Sequence, residues 1–139
     1  SLIIFDGKSM DAVLPFKKYR NTGLTQTHSQ ELKNNLLQYM KTEKPYLESN
    51  LRLNDLADQL NLSRHHTSQI INEHFDTNFF DFINTYRIEE AKNLLSGKDD
   101  LNITDIIYSS GFNNRASFYK TFKKHTSMTP GEFSERHNT

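Results

Sequence analysis

The chain carries one residue pattern twice, about 50 positions apart, and this repetition limits its fold more than any other feature. Leu53, Leu56, Ala57, Leu60, Asn61 and Leu62 match Ile103, Ile106, Ile107, Ser110, Gly111 and Phe112 at an offset of 50. One extra residue then moves the offset to 51, pairing Thr67 with Phe118, Ile71 with Phe122, His74 with His125 and Phe82 with Phe133. The first copy opens with apolar residues at i, i+3, i+4 and i+7, passes through Asn61-Leu62-Ser63, and resumes a helical period from Arg64 to about Phe75. Two helices with so few residues between them must turn a tight corner. Asn61 and Gly111 take the corner position, where a positive φ costs Gly nothing and Asn little. Leu62 and Phe112 place an apolar side chain beneath the corner, and Ser63 and either Asn113 or Asn114 can cap the next helix.

The rest of the chain reads as further helices. Thr27 and Gln30 have capping-box spacing, and Leu32, Leu36, Tyr39 and Met40 share a face, so a first helix is expected over about 28–43, stopped by Pro45. Phe79 to Leu95 presents Phe79, Phe82, Ile83, Tyr86, Ala91, Leu94 and Leu95 on one side and is followed by Gly97. Such a helix is roughly 25 Å long at 1.5 Å per residue. A strut of this size, with the bodies it joins, can set two helices about one turn of B-DNA apart, about 34 Å. Thr129-Pro130-Gly131-Glu132 reads as an N-cap, a first-position proline and a capping-box acid, opening a short helix to about Arg136. The expected fold is all-α with about seven helices. Two helix-turn-helix subdomains, 29–78 and 96–139, are joined by a linker helix, 79–95. An arm over 1–28, with Gly7, Pro15, Gly23 and the cluster Lys17, Lys18 and Arg20, precedes them.

Composition removes most other classes. The longest uninterrupted apolar run, Leu2 to Phe5, is far short of the roughly 20 residues of a membrane helix. No cysteine is present, so there is no disulfide framework and no thiolate, which fits a reducing, cytoplasmic setting. The phosphate-loop, nucleophile-elbow and dinucleotide glycine motifs are missing, no H-E-x-x-H occurs, and nothing in the pattern suggests an enzyme, a cofactor or a metal. The chain starts at Ser1 without the features of a signal peptide, and it reads as a piece of something longer. The 17 basic and 17 acidic residues cancel, which argues against coating nucleic acid by bulk charge. Their distribution is uneven: residues 53–78 hold one basic residue against four acidic ones, and residues 102–139 hold five against three.

A helix-turn-helix offers the polar face of its second helix to a major groove about 12 Å wide. In the first copy that face offers Arg64, His65, Ser68, Gln69 and Asn72, with His66 beside them. In the second it offers Arg115, Ser117, Tyr119, Lys120 and Lys123, with Asn114 at its start, while Phe118 and Phe122 recur four apart and turn inward. Arginine can bond guanine in bidentate fashion, and lysine can reach guanine or phosphate. Lys123 and Lys124 lie farther along, toward backbone phosphate. His65 and His66 are adjacent and point about 100° apart, which suits polar groups facing DNA better than a metal pair. The competing reading is a helical protein–protein interaction module that has lost DNA binding.

These residues also carry a resemblance. The stretch ITDIIYSSGFNNRASFYKTFKKHTSMTPGEFSER, Ile103 to Arg136, resembles the C-terminal signature of the AraC/XylS family of bacterial transcription regulators, and LNDLADQLNLSRHHTSQIINEHF is similar to its first helix-turn-helix. The resemblance covers about Leu51 to Arg136. It implies seven helices in two subdomains, with each recognition helix entering one of two successive major grooves of double-stranded DNA. It also implies RNA polymerase as a further partner and a dimer in the full-length protein. KYRNTGL and EKPYLESNLRLNDLA are similar to a subgroup in which this domain follows a sensory or membrane-embedded portion, so the full protein is expected to be cytoplasmic or tethered to a membrane. Two positions depart from the family: Ile107 stands where a small Ala is usual, and Thr67 where Leu is usual.

Overall fold

The computed structural model describes residues 25–97 and 101–137 and is built from seven α-helices, with no strand among the described residues. They are α1 (Gln26–Glu43), α2 (Leu53–Gln59), α3 (Arg64–Phe75), α4 (Phe79–Ser96), α5 (Ile103–Ser109), α6 (Arg115–Thr126) and α7 (Pro130–His137), with a single 3₁₀ turn at Pro45–Leu47 after α1. The expected arm lies outside the described residues up to residue 24. From Gln26 onward its end is helical: α1 starts two residues earlier than a cap at Thr27 implies. Thr25 is the cap, its hydroxyl accepting from the His28 backbone N–H at 3.0 Å, and its carbonyl takes the first helical bond from Ser29. Threonine at either position has the right chemistry; the capping-box spacing favours Thr27, with Gln30 three residues on, but the observed cap needs only the hydroxyl and has His28 at that place.

The described residues divide into two compact units, one of residues up to 45 with 51–79 and the other of residues 46–50 with those from 80 onward. In the first, α2 and α3 pack on each other and α1 packs on α3. Leu32, Leu36, Met40, Leu56, Ala57, Leu60, Ile70 and Ile71 are buried there. Thr67 is buried as well, and its hydroxyl donates to the Ser63 carbonyl at 2.9 Å, which satisfies the one polar atom that leucine would not have brought. Ser29 is also fully buried, its hydroxyl paired with His74 Nε2 at 2.7 Å.

In the second unit one cluster joins Ile88, Ala91, Leu95, Ile106, Ile107, Phe112, Phe118, Phe122 and Phe133. Its rings form a chain, with centroids 5.2 Å apart for Phe112–Phe118, 5.6 Å for Phe118–Phe122 and 5.7 Å for Phe122–Phe133. Each buried ring contributes about 1.5–3 kcal/mol relative to exposure, so the aromatic chain is a principal source of this unit's stability. Ile107 is fully enclosed in the cluster in place of the usual alanine. Ile88 belongs to it too, although it lies off the face expected for α4: the buried row shifts to Ile88, Ala91 and Leu95, three and four residues apart.

The repeat is reproduced in local detail. The order of buried, half-buried and exposed residues over 51–60 is identical to that over 101–110. Asn61 sits at φ 59° and Gly111 at φ 99°, as the corner requires. Ser63 caps α3 by accepting from the His66 N–H at 3.0 Å, and Asn114, rather than Asn113, caps α6 by accepting from the Ser117 N–H at 2.8 Å. The two helices also end alike, at Asp76 and Ser127, both with positive φ and 51 residues apart. At α7 the Thr129 hydroxyl accepts from the Glu132 N–H, and the Glu132 carboxylate accepts from the Thr129 N–H at 2.8 Å. That backbone bond holds the Glu132 carboxyl below its ordinary pKa.

Gly111 has a second constraint. A Cβ at this position would overlap the Tyr46 carbonyl oxygen and come within 2.9 Å of Arg87 Nε. Arg87 donates from Nε to the Tyr46 carbonyl at 2.7 Å and from Nη2 to the Glu48 carbonyl at 2.9 Å, while Tyr46 stacks on Tyr86 with centroids 5.3 Å apart. The half-buried guanidinium thus fastens the turn after α1 to α4, and the corner glycine lies against the joint.

Candidate nucleic-acid interface

Each corner fixes the start of one helix, α3 or α6, whose inner row is locked into a core. The inner row of α3 is Thr67, Ile70 and Ile71; that of α6 is Phe118 and Phe122. At 100° per residue the opposite row is His65, Gln69 and Asn72 on α3 and, at the offset of 51, Ala116, Lys120 and Lys123 on α6. His65, Asn72, Ala116, Lys120 and Lys123 are exposed, and Gln69 is half-buried. Charge and polarity pass over Ala116, yet it opens the outward row. Its i, i+4, i+7 spacing with Lys120 and Lys123 reveals it once the buried face opposite is known.

The remaining candidates flank these rows. On α3, Arg64 is exposed and Ser68 half-buried, with the Asn72 side-chain amide near the Ser68 hydroxyl at 3.5 Å. His65 and His66 are tilted against each other, ring centroids 6.1 Å apart. On α6, Arg115 and Ser117 are exposed and Tyr119 is half-buried, its ring edge against Phe118. Arg115 donates from Nη2 to the Thr104 hydroxyl at 2.8 Å and from Nη1 to the Tyr119 hydroxyl at 3.4 Å, with its guanidinium 5.9 Å from the Tyr119 ring centre. Asn114 has its side-chain oxygen committed to the cap, leaving its NH₂ end for any ligand. Lys124 pairs with Asp81 at 3.7 Å, whereas Lys120 has no such partner among the described residues.

The two faces differ chemically. That of α6 is cationic through Arg115, Lys120, Lys123 and Lys124, while that of α3 has Arg64 as its one permanent positive charge and is otherwise made of hydroxyl, amide and imidazole groups. Each is a convex polar ridge, suited to entering a groove. Among the described residues no group of three or more His, Asp or Glu could hold a metal, and no helix is long and apolar enough to cross a membrane.

Two tight-cornered helix pairs of matching design, each presenting such a ridge, define a DNA-binding helix-turn-helix protein. A family model described as a helix-turn-helix domain matches residues 56–136. The chain belongs to the AraC-type helix-turn-helix family of DNA-binding transcription regulators. It is similar to an uncharacterized HTH-type transcriptional regulator of Staphylococcus aureus, 38% identical over 88 residues, which are 63% of this chain and 12% of that protein. The chain thus spans a small fraction of the length of these Staphylococcus aureus relatives. Among solved structures it is similar to the C-terminal domain of AraT, a response regulator from Geobacillus stearothermophilus, at 26% identity and TM-score 0.66, covering 76% of this chain and 84% of that one. An AraC-type transcriptional regulator from Chromobacterium violaceum shares the fold, at TM-score 0.68 and 20% identity, over 81% of this chain and 96% of that one.

Proposed function

We propose that the chain binds double-stranded DNA sequence-specifically, with α3 and α6 entering successive major grooves. The domain responsible is residues 29–139, with 79–95 as its linker. The observation that supports this best is the equivalence of the outward rows, His65-Gln69-Asn72 and Ala116-Lys120-Lys123, on helices held by matching corners. Arg115 and Lys120 suit guanine, Asn72 suits adenine, Gln69 would do so only by turning its buried side-chain oxygen outward, and the Ala116 methyl suits the methyl group of thymine. Arg64 and Ser117 flank these groups and Lys123 ends the α6 row, where backbone phosphate passes, and His65, Ser68, Asn114 and Tyr119 complete the surface. A sensory portion, a dimer, contact with RNA polymerase and the cytoplasmic or membrane-tethered placement belong to the longer protein of which such a domain is part.

Footprinting on duplexes selected from a random pool tests the two-groove reading. Two protected segments about 10–10.5 base pairs apart are expected, and a single one refutes it. If roughly five to eight phosphates are contacted, log K falls with log salt at a slope of about −0.9 per contact. A flat response would instead favour a protein partner, a reading that the single basic residue of 53–78 keeps in play.

A further inference from the structure

We propose that Thr104, on α5, is a positioning residue for base readout: its hydroxyl, with the Tyr119 ring, holds the Arg115 guanidinium in a fixed pose before DNA arrives. The proposal rests on the reading of α6 as a recognition helix and adds a residue outside that helix to its specificity. Arg115 is the first residue of α6 and is exposed, so its side chain would ordinarily sample many rotamers. Instead Nη2 donates to Thr104 Oγ1 at 2.8 Å, Nη1 reaches Tyr119 Oη at 3.4 Å, and the guanidinium lies 5.9 Å from the centre of the Tyr119 ring. Two of the five guanidinium N–H groups are spent on these bonds. Nε–H and one N–H on each terminal nitrogen remain, enough for a bidentate contact with the two acceptors of a guanine edge.

The other copy of the repeat serves as an internal control. Arg64 occupies the position of Arg115 at an offset of 51, Ser68 that of Tyr119, and Asn54 that of Thr104 at an offset of 50. Serine has no ring on which to stack, and no such bonds hold Arg64 among the described residues. The same residue type in the same register is therefore restrained in one unit and loose in the other. A restrained fork loses less freedom on contact and tolerates only the base that fits it. A loose arginine adapts to phosphate in any sequence.

Removing the clamp should cost discrimination of about two- to tenfold, the size expected for immobilising one flexible side chain. The experiment uses the full chain with duplexes that the wild type selects from a random pool, compared with single-base variants of those duplexes. Arg115→Ala identifies the base positions that Arg115 reads. Thr104→Val, which keeps shape and removes the hydroxyl, should lose two- to tenfold discrimination at those same positions with its salt slope unchanged, and Thr104→Ser should restore it. Arg64→Ala should weaken all duplexes alike. In the free chain, the NMR order parameter of the Arg115 Nε–Hε group should exceed that of Arg64 and fall to its level in Thr104→Val. Unchanged discrimination in Thr104→Val, or tighter binding to every duplex, overturns the clamp while leaving DNA reading intact. If the wild type selects no sequence at all, the DNA-reading proposal itself fails, and the order parameters then judge the clamp alone.

Discussion

Replacing Gly111 with alanine tests the joint described above, because the substitution adds one methyl group where neither the backbone nor its neighbours has room for it. An L-residue at φ 99° lies beyond the usual left-handed region, and the backbone strain is at least about 1–2 kcal/mol. The new Cβ would also overlap the Tyr46 carbonyl oxygen, the acceptor of the Arg87 Nε–H bond. The turn or the guanidinium must move, weakening hydrogen bonds of a charged donor that contribute about 1.5–3 kcal/mol each. These losses arise from one displacement and do not add in full, so the expected destabilisation is about 3–5 kcal/mol. At about 3–6 °C per kcal/mol for a domain between the small and the large size classes, the melting temperature should fall by at least about 9 °C. Asn61→Ala is the matched control: the corner at φ 59° is exposed, and alanine there costs about 1–2 kcal/mol of backbone strain alone. Thermal unfolding by far-UV circular dichroism measures both variants. If Gly111→Ala falls within about 1 kcal/mol of Asn61→Ala, the close approach to Tyr46 and Arg87 is not what the glycine serves, and the argument fails.

Three further outcomes are expected. Ser63→Ala and Asn114→Ala should each lose about 1 kcal/mol of stability in the same assay, and Asn114→Ser should lose much less, since serine caps equally well; a neutral Asn114→Ala would remove its capping role. Ala116→Glu should abolish DNA binding in a gel-shift titration without moving the melting temperature, because the side chain is exposed and its carboxylate would meet phosphate; native affinity would place the interface on another face. Burial, followed by the nearby Lys33 charge, holds the His74 imidazole below its ordinary 6.5. The unfolded chain therefore takes up this proton first as pH falls. Stability from the neutral ring is complete above about pH 6.5 and declines below it, so the melting temperature should drop more steeply from pH 7 to 5 in the native chain than in His74→Gln. Equal slopes would show that burial of the ring does not exclude the proton.

Local chemistry made much of the fold legible. The corner residues Asn61 and Gly111, the cap at Ser63, the capping box at Thr129 and Glu132, and the inward row of Phe118 and Phe122 all act within a few positions of themselves, where periodicity and turn preferences operate. What escaped the sequence depends on partners distant in the chain. Arg87 finds its acceptors 41 and 39 residues upstream, and nothing near residue 87 announces it. The left-handed ends of α3 and α6 fall on aspartate and serine, so no glycine marked them. The polar residues of both ridges were legible as a set, but the Thr104 contact was not, because it joins two helices through a single hydroxyl. Ala116 was hidden by its own blandness, since an alanine beside charged residues draws attention only once the burial of its neighbours is known.

The five residues 46–50 belong to the second unit although they interrupt the first in sequence. During synthesis the Tyr46 and Glu48 carbonyls leave the ribosome about 40 residues ahead of the arginine that will use them, so the second unit closes only after a stretch containing α2 and α3 has been made in between. A chain cut before α4 would therefore yield a C-terminal fragment whose half-buried arginine has lost both acceptors, and whose corner glycine has lost the wall it was fitted to. The same division makes recombination between relatives asymmetric. A crossover between residue 50 and α4 takes the loop and its arginine from different parents; the two acceptors are backbone carbonyls that either parent supplies, but the Tyr46–Tyr86 stacking depends on both side chains and is put at risk, whereas a crossover between α6 and α7 separates neither.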